Sequence, residues 1–331
     1  MSLINKKQKG MAEVKKVIAG LPNYSKYCGK AKAYLQENGV EVIENETGGP
    51  LSPKQLKSMI ADADAAIAGV EVYDREIMDA APNLKIIARF GVGVDNFDLD
   101  EAKKRGIICT NCPGINSTSV AEHTVMLILN LLRECPQLNQ ETKEGRWRRL
   151  MVTELSGKTV GLLGFGAVAR KTAEILKGFS CRIIAYDKFP NESAAEKLRV
   201  EMMSLEDVLK QSDILSVHVP AMEETYHFIN KDTLALCKDG VYLVNTSRGT
   251  NVDEKAVYDA LESGRLAGFG TDVFEFEPVV AGYPLFKFKN YICTPHTAAE
   301  SYENYAETGM RTAKAVLHVL NGGTEPWNRL V

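Results

Sequence analysis

The chain has 331 residues, 45% of them hydrophobic and 25% charged, and a formal net charge of −3 from 40 basic and 43 acidic side chains. That length suits about two ordinary soluble domains with ample core. The near balance of charge gives no electrostatic reason to expect nucleic acid or an anionic membrane as partner, and no apolar run reaches membrane-spanning length. The N-terminal residues 1–20 are basic without an apolar stretch of signal-peptide size, and Met11 offers a second start, so a cytoplasmic protein is expected. The seven cysteines, at 28, 109, 112, 135, 181, 237 and 293, are odd in number and scattered, which reads as reduced thiols. Cys109-Thr110-Asn111-Cys112 matches C-x-x-C, but Pro113-Gly114 follows at once and no second pair accompanies it; packing thiols at a strand end are expected.

From Val14 onward, apolar runs alternate with amphipathic stretches. Strands are predicted over 14–19, 40–44, 65–68, 84–89 and 107–110, with helices over 26–38, 53–62, 75–80 and 99–105 between them. This alternation argues for a parallel, doubly wound sheet. Gly91-Val92-Gly93 lacks the small-residue helix start of a dinucleotide fingerprint, because Asp95 and Asn96 follow. It reads as a backbone loop at a strand end, suited to a small anion. The longest helix signal comes next: Ser119-Val120-Ala121-Glu122 fits a capping box, and Val120, Thr124, Leu127, Ile128 and Leu131 share one face. A basic, aromatic loop follows at 144–149.

The most informative stretch begins at Thr159. An apolar run stops at Gly164-Phe165-Gly166, a helix pattern bearing Ala169 begins, and a second apolar run, 182–186, ends on Asp187. Gly164 permits the tight strand-to-helix turn, Gly166 lets the backbone approach a pyrophosphate, and Ala169 lets the helix sit close on the sheet. The phosphates would meet free N–H groups at the positive end of the helix dipole. Asp187, about 20 residues on, would accept from a ribose 2′-hydroxyl and repel a 2′-phosphate, which selects NAD over NADP. Further strands are predicted over 214–219, 241–246, 268–274 and 291–294, and a C-terminal amphipathic helix over Tyr302–Leu320.

Doubly wound sheets bind ligands beyond the carboxyl ends of their strands. Three charged side chains follow such ends: Arg248 in Asn245-Thr246-Ser247-Arg248-Gly249, Glu277 before Pro278, and His296 after Pro295. An NAD site beside an Arg, an acid and a His suggests hydride transfer to a carbonyl. The cation anchors a carboxylate and polarises the carbonyl, the imidazole moves the hydroxyl proton, and the acid holds the imidazole. His123 and His318 read as structural, and His218 as a pocket residue. No nucleophile elbow accompanies Ser247, and no cluster has metal-ligand spacing.

The order Gly-x-Gly-x-x-Ala, Asp187, Ser247-Arg248-Gly249, residues 272–278 and Pro295-His296 resembles the D-isomer-specific 2-hydroxyacid dehydrogenases, of the phosphoglycerate/glycerate dehydrogenase kind. Residues 89–96 and 111–122 match the same family, so the resemblance covers nearly the whole chain. It implies two doubly wound parallel-sheet α/β domains, with a Rossmann NAD-binding domain (116–296) inserted into a discontinuous flavodoxin-like substrate domain (1–115 plus 297–331), and hinges near 114–116 and 295–297. It implies Arg248, Glu277 and His296 as the catalytic set, and Val92, Gly93, Asn116, Arg248 and His296 as substrate contacts. The cofactor residues it implies are Gly164, Gly166, Ala167, Val168, Asp187, His218, Val219, Pro220, Thr225, Thr246, Ser247, Asp272 and Ala298.

The resemblance also implies a homodimer formed through the NAD-binding domain. Formate-type members carry an amide near Glu277, which argues against formate. Phosphoglycerate enzymes place a basic residue just past the strand equivalent to 65–68, where this chain has Ala68-Gly69-Val70-Glu71; that argues against a phosphorylated substrate, unless Arg148 and Arg149 supply charge from a partner subunit. The expected function is NAD-dependent interconversion of a small D-2-hydroxy acid and its 2-oxo acid, hydroxypyruvate and glyoxylate being suitable oxo acids. No small regulatory domain follows, so feedback through one is not expected. The alternative from another class is an NAD(H)-sensing, corepressor-like binding protein of the same family.

Overall fold

The structure, a computed structural model, describes residues 14–331, and the expectations about a leader and an alternative start at Met11 lie outside them. The chain divides into two compact units, residues 14–115 with Tyr302–Val331, and Asn116–Ser301. Among the described residues no helix is long and apolar enough to cross a membrane.

The first unit alternates β1 (Lys15–Pro22), α1 (Tyr24–Glu37), β2 (Val40–Asn45), α2 (Pro53–Ile60), β3 (Ala65–Ala68), α3 (Arg75–Asp79), β4 (Ile86–Arg89), α4 (Leu99–Lys104) and β5 (Ile108–Thr110). The strands pair in parallel in the order β2-β1-β3-β4-β5, the flavodoxin-like order. Strands covered on both faces become unbroken apolar runs, and every residue of β3 is fully buried. The C-terminal helix closes one face through Ala313, Val316 and Leu317, which pack with Val17, Ala19, Ile67 and Ile86.

The second unit begins with α5 (Ser117–Arg133) and α6 (Cys135–Lys143). It continues β6 (Thr159–Leu163), α7 (Ala167–Leu176), β7 (Arg182–Tyr186), α8 (Glu192–Leu198), β8 (Glu201–Met202), α9 (Leu205–Gln211) and β9 (Ile214–Val217). Then come α10 (Lys231–Leu236), β10 (Val241–Asn245), α11 (Glu254–Glu262), β11 (Leu266–Thr271) and β12 (Tyr291–Cys293). The sheet order is β12-β11-β10-β9-β6-β7-β8, all parallel. Counted from β6 this is 3-2-1-4-5-6 with one added edge strand, the dinucleotide-binding arrangement whose crevice lies where the order reverses, between β6 and β9.

Three expectations are corrected. The segment at Ser119 is not a capping box: α5 starts at Ser117 with Asn116 as its N-cap, and the Ser119 hydroxyl, inside the first turn, lies 2.8 Å from that of Ser301. The predicted apolar face is real, with Val120, Thr124, Leu127, Ile128 and Leu131 all buried. The longest helix is instead α12 (Tyr302–Leu320), 19 residues against 17 for α5. Finally, the second boundary between units falls after Ser301 and not after His296. The reason is Asp272, which accepts from the N–H groups of Thr297 and Ala298 and ties that segment to the end of β11.

Candidate active site

The glycine turn after β6 is built as the fingerprint requires. Gly164 has φ +95°, and a Cβ there would stand 2.9 Å from the carbonyl of His218, so the turn can touch the exit of β9 only as glycine. Ala169 is fully buried under the sheet. Gly166 has the opposite surroundings. It is exposed, with φ −71°, and a Cβ added to it would meet nothing within 4 Å. No side chain caps the amides of α7 that follow, and Ala167 is exposed beside them. Asp187 at the end of β7 accepts from the N–H of Phe165 at 2.6 Å and of Phe189 at 2.8 Å, which fixes its carboxylate above the turn. Lys188 beside it is paired with Glu224. Open space over a glycine, uncapped helical amides and a fixed carboxylate fit the pyrophosphate and ribose of a dinucleotide.

At the exit of β9, the His218 ring lies 2.8 Å from the Ser216 hydroxyl, and burial pushes its imidazole down to about 4, so it is neutral. Val219 is buried and Pro220 exposed. Thr225, expected at the cofactor, is instead turned inward: its hydroxyl donates to the carbonyl of Pro220 at 2.6 Å and accepts from the N–H of Met222.

Arg248 leaves the end of β10 on a turn held by Asn245. The buried Asn245 side chain accepts from the N–H and hydroxyl of Ser247 and donates to the carbonyl of Arg248 at 2.9 Å. Asn251, fully buried, donates to the carbonyl of Val219 and to the Ser247 hydroxyl, joining this turn to the exit of β9. The Thr246 hydroxyl lies 2.8 Å from that of Thr124 on α5. A Cβ on Gly249 would sit 1.9 Å from the carbonyl of Phe274, so the Arg248 turn rests directly on the loop carrying Glu277. The backbone N–H of Phe274 donates to Glu277 Oε1 at 2.9 Å. Glu277 Oε2 lies 2.7 Å from His296 Nδ1.

An ionised carboxylate only accepts, so Nδ1 carries the proton and Nε2 is the outward nitrogen. Partial burial raises the Glu277 carboxyl, but the bonds from His296 and Phe274 and the charges of His296 and Arg248 outweigh it and hold the group below the usual carboxylate range. His296 is exposed and sits at φ +53°, a left-handed conformation uncommon for a side-chain-bearing residue and worth reading as a functional constraint.

What holds His296 there is Asp272, which is 1% exposed. Its Oδ1 accepts from the Thr294 hydroxyl at 2.6 Å and the N–H of Thr297 at 2.9 Å, and its Oδ2 from the N–H of Ala298 at 2.8 Å. Its carbonyl accepts from the N–H of His296 itself. Expected to line the cofactor pocket, Asp272 has both oxygens committed to the loop at 294–298. His123 lies 2.8 Å from the Thr294 hydroxyl, and burial lowers its imidazole despite the nearby Asp272 charge. Sequence reasoning missed Asn245, Asn251 and a second pair in which His227 Nε2 lies 2.9 Å from Glu275 Oε1. An Asn followed by Thr-Ser at a strand end is an Asx-turn signal that could have found the first.

In the other unit, the loop after β4 has its carbonyls drawn inward. Gly91 accepts from the N–H of Cys112, Val92 from the Asn111 side chain, and Gly93 from Arg89 Nε. Among the described residues the N–H groups of Val92 and Gly93 have no hydrogen-bond partner, and Val92 is exposed. Amides without partners beside carbonyls already bonded are the make-up of a small-anion site. Asn116 stands at the junction as the α5 N-cap. Arg148 lies in a bidentate pair with Glu141, 2.8 and 2.9 Å, while Arg149 is exposed.

The model of the D-isomer specific 2-hydroxyacid dehydrogenase NAD binding domain matches residues 125–298, over half of the chain. The chain belongs to that family. NAD is the cofactor of the matched domain, and oxidoreduction of 2-hydroxy acids is the family's reaction class. A D-3-phosphoglycerate dehydrogenase of Archaeoglobus fulgidus is 39% identical over 292 residues, which are 87% of this chain and 55% of that protein, so the chain spans about half the length of that relative. A glyoxylate reductase of Korarchaeum cryptofilum is 37% identical over 306 residues, 88% of this chain and 92% of that protein. Among solved structures, a Thermus thermophilus protein shares 32% identity with a TM-score of 0.87, over 96% of this chain and 100% of that one.

Proposed function

We propose that the protein interconverts a small D-2-hydroxy acid and its 2-oxo acid, with Arg248, Glu277 and His296 as its catalytic residues. The observation that carries this reading is the His296–Glu277 pair at 2.7 Å at the carboxyl edge of the sheet that also carries the glycine turn. In the reducing direction NADH, when bound, supplies the hydride to the carbonyl carbon. The His296 imidazolium gives the Nε2 proton to the carbonyl oxygen, and Glu277 stabilises the charged ring before the transfer. Arg248 holds the substrate carboxylate and polarises the carbonyl, and the amides of Val92 and Gly93 offer a further carboxylate site. Gly166, Ala167, Val168 and Asp187 are assigned to the dinucleotide. The names of the relatives suggest small 2-oxo acids such as glyoxylate, hydroxypyruvate or its 3-phosphate.

A homodimer is part of the proposal, supported by Trp147 and Met151, which are 86% and 97% exposed on the second unit. A cytoplasmic location agrees with seven unpaired cysteines. The test is turnover of NADH with hydroxypyruvate, its 3-phosphate, pyruvate, glyoxylate and 2-oxoglutarate. A His296→Gln variant is expected to lose about 10²–10⁴ in kcat. Unchanged kcat overturns the assignment, and NADH binding without turnover of any oxo acid favours a binding protein.

A further inference from the structure

The loop that carries Glu277 bears a second acid–histidine pair that the proposed chemistry does not use. Glu275 Oε1 accepts from His227 Nε2 at 2.9 Å and from the Tyr226 hydroxyl at 3.3 Å. Because an ionised carboxylate only accepts, Nε2 of His227 carries the proton. The Tyr226 ring stacks on the imidazole, with centroids 4.0 Å apart and planes 17° from parallel. His227 has φ +49°, in the same left-handed region as His296. Its backbone is bonded on both sides: its N–H donates to the carbonyl of Thr250 at 2.8 Å, and the Asn230 side chain donates to its carbonyl at 2.9 Å. Thr250 stands two residues past Arg248. One histidine therefore joins the turn carrying Arg248 to the loop carrying Glu277. The N–H of Glu275 in turn donates to Glu254 Oε1 at 2.9 Å, at the start of α11.

Beyond Phe274, packing does not hold this loop. Between Phe274 and Val279 no apolar side chain is buried: Phe276 is 81% exposed, and Pro278 is exposed. A cavity of about 360 Å³ borders Glu254, Tyr258, Glu275 and Tyr283, so the loop has space to move into. Hydrogen bonds then set its position, and a left-handed residue such as His227 persists only where its surroundings over-determine it. We propose that Glu275 is a positioning residue: held by His227 and Glu254, it fixes the spacing between the Arg248 turn and the Glu277 carboxylate that holds His296. The proposal rests on the reading of His296 and Glu277 as the proton-transfer pair. Without the strut, Glu277 drifts from His296 Nδ1. An imidazolium that loses its carboxylate is less stable, so the ring gives up its proton at lower pH. The other charges that bear on the pair are those of Arg248, Asp272 and Glu275, and of these only Glu275 is altered in the variants below.

The experiment uses the full chain as wild type, Glu275→Ala, Glu275→Gln and His227→Asn. The titration of the His296 ring is followed by NMR on histidine-labelled protein, assigned with His296→Gln. Alongside it, kcat for glyoxylate and hydroxypyruvate with NADH is measured across pH, with Kd for NADH and Tm for each variant. Glu275→Ala removes both side-chain bonds. It should move the His296 titration toward acid by about half a pH unit or more and lower kcat about tenfold, while Kd for NADH changes less than about threefold. His227→Asn tolerates the left-handed backbone but is too short to reach Glu275, and it should move both readouts the same way. Glu275→Gln removes the charge and keeps an acceptor for both donors, so it should recover the wild-type titration, and kcat to within about threefold. A role in stability alone lowers Tm and leaves the titration where it was. A folded Glu275→Ala with the wild-type titration overturns the proposal, and where that variant does not fold, His227→Asn decides by the same criterion. Glu275→Gln matching Glu275→Ala also overturns it, since charge alone is then the cause. The titration needs no turnover, so failure of every oxo acid, which sinks the underlying reading, is a separate result from an unmoved ring.

Discussion

Replacing Asp272 by Asn tests whether one buried carboxylate fixes the His296 loop. The two residues have nearly the same shape, so packing is kept and only the pattern of acceptors changes. Three donors converge on Asp272, from Thr294, Thr297 and Ala298. The best placement of the amide keeps its oxygen toward Thr294 and Thr297 and turns its NH₂ against the N–H of Ala298. One bond is then lost with its donor left buried, and the two that remain no longer have a charged acceptor, for a total of about 2–5 kcal/mol. For a unit of this size that lowers Tm by about 5–15 °C. The assay is thermal and urea unfolding, together with kcat at a temperature where the variant is fully folded. Because the loop also sets the left-handed backbone of His296, kcat should fall about tenfold or more even there. A Tm within about 2 °C of wild type, with unchanged kcat, would show that Asp272 does not carry the loop.

The two glycines of the cofactor turn should behave oppositely. Gly166→Ala meets open space at an ordinary φ, so Tm stays within about 2 °C while Kd for NADH rises about tenfold or more by obstruction of the pyrophosphate; unchanged affinity counts against the assigned position. Gly164→Ala meets the His218 carbonyl at a left-handed φ and should cost about 2 kcal/mol or more in stability. Glu277→Gln should lower kcat about 10²-fold. The Glu277 carboxyl lies below the ordinary range, so its contribution to stability is complete above about pH 5 and is lost as pH falls through and below about 4; a stability difference from wild type that does not shrink in acid contradicts this. Gly249→Ala cannot be accommodated without moving Phe274, and urea unfolding should register a loss of about 2 kcal/mol or more.

The alternation of apolar runs and helix patterns makes both sheets legible in the sequence, because parallel strands buried on two faces write themselves as runs such as Ala65–Ala68. The side chains brought together at the second sheet were legible for a related reason: Arg248 and His296 stand three residues past the ends of β10 and β12, and Glu277 six past the end of β11, just before Pro278. The short strand at Glu201–Met202 was not, since two edge residues carry no pattern. Nor was the inward turn of Asp272 and Thr225, because residue type says that a group bonds and not to whom. Ser119 misled for the same reason: its local spacing satisfies a cap, but helix α5 begins earlier, at a junction set by tertiary structure.

Within Asn116–Ser301, Glu277, His296 and Arg248 are braced through Phe274, Asp272 and Asn245, whereas in the other unit Arg89 braces the loop after β4 through the carbonyl of Gly93. The braces of the proposed proton-transfer pair and those of the loop after β4 therefore sit on separate stretches of chain. Each set of braces can be varied in its own library, and a loss of turnover traced to one stretch of chain at a time.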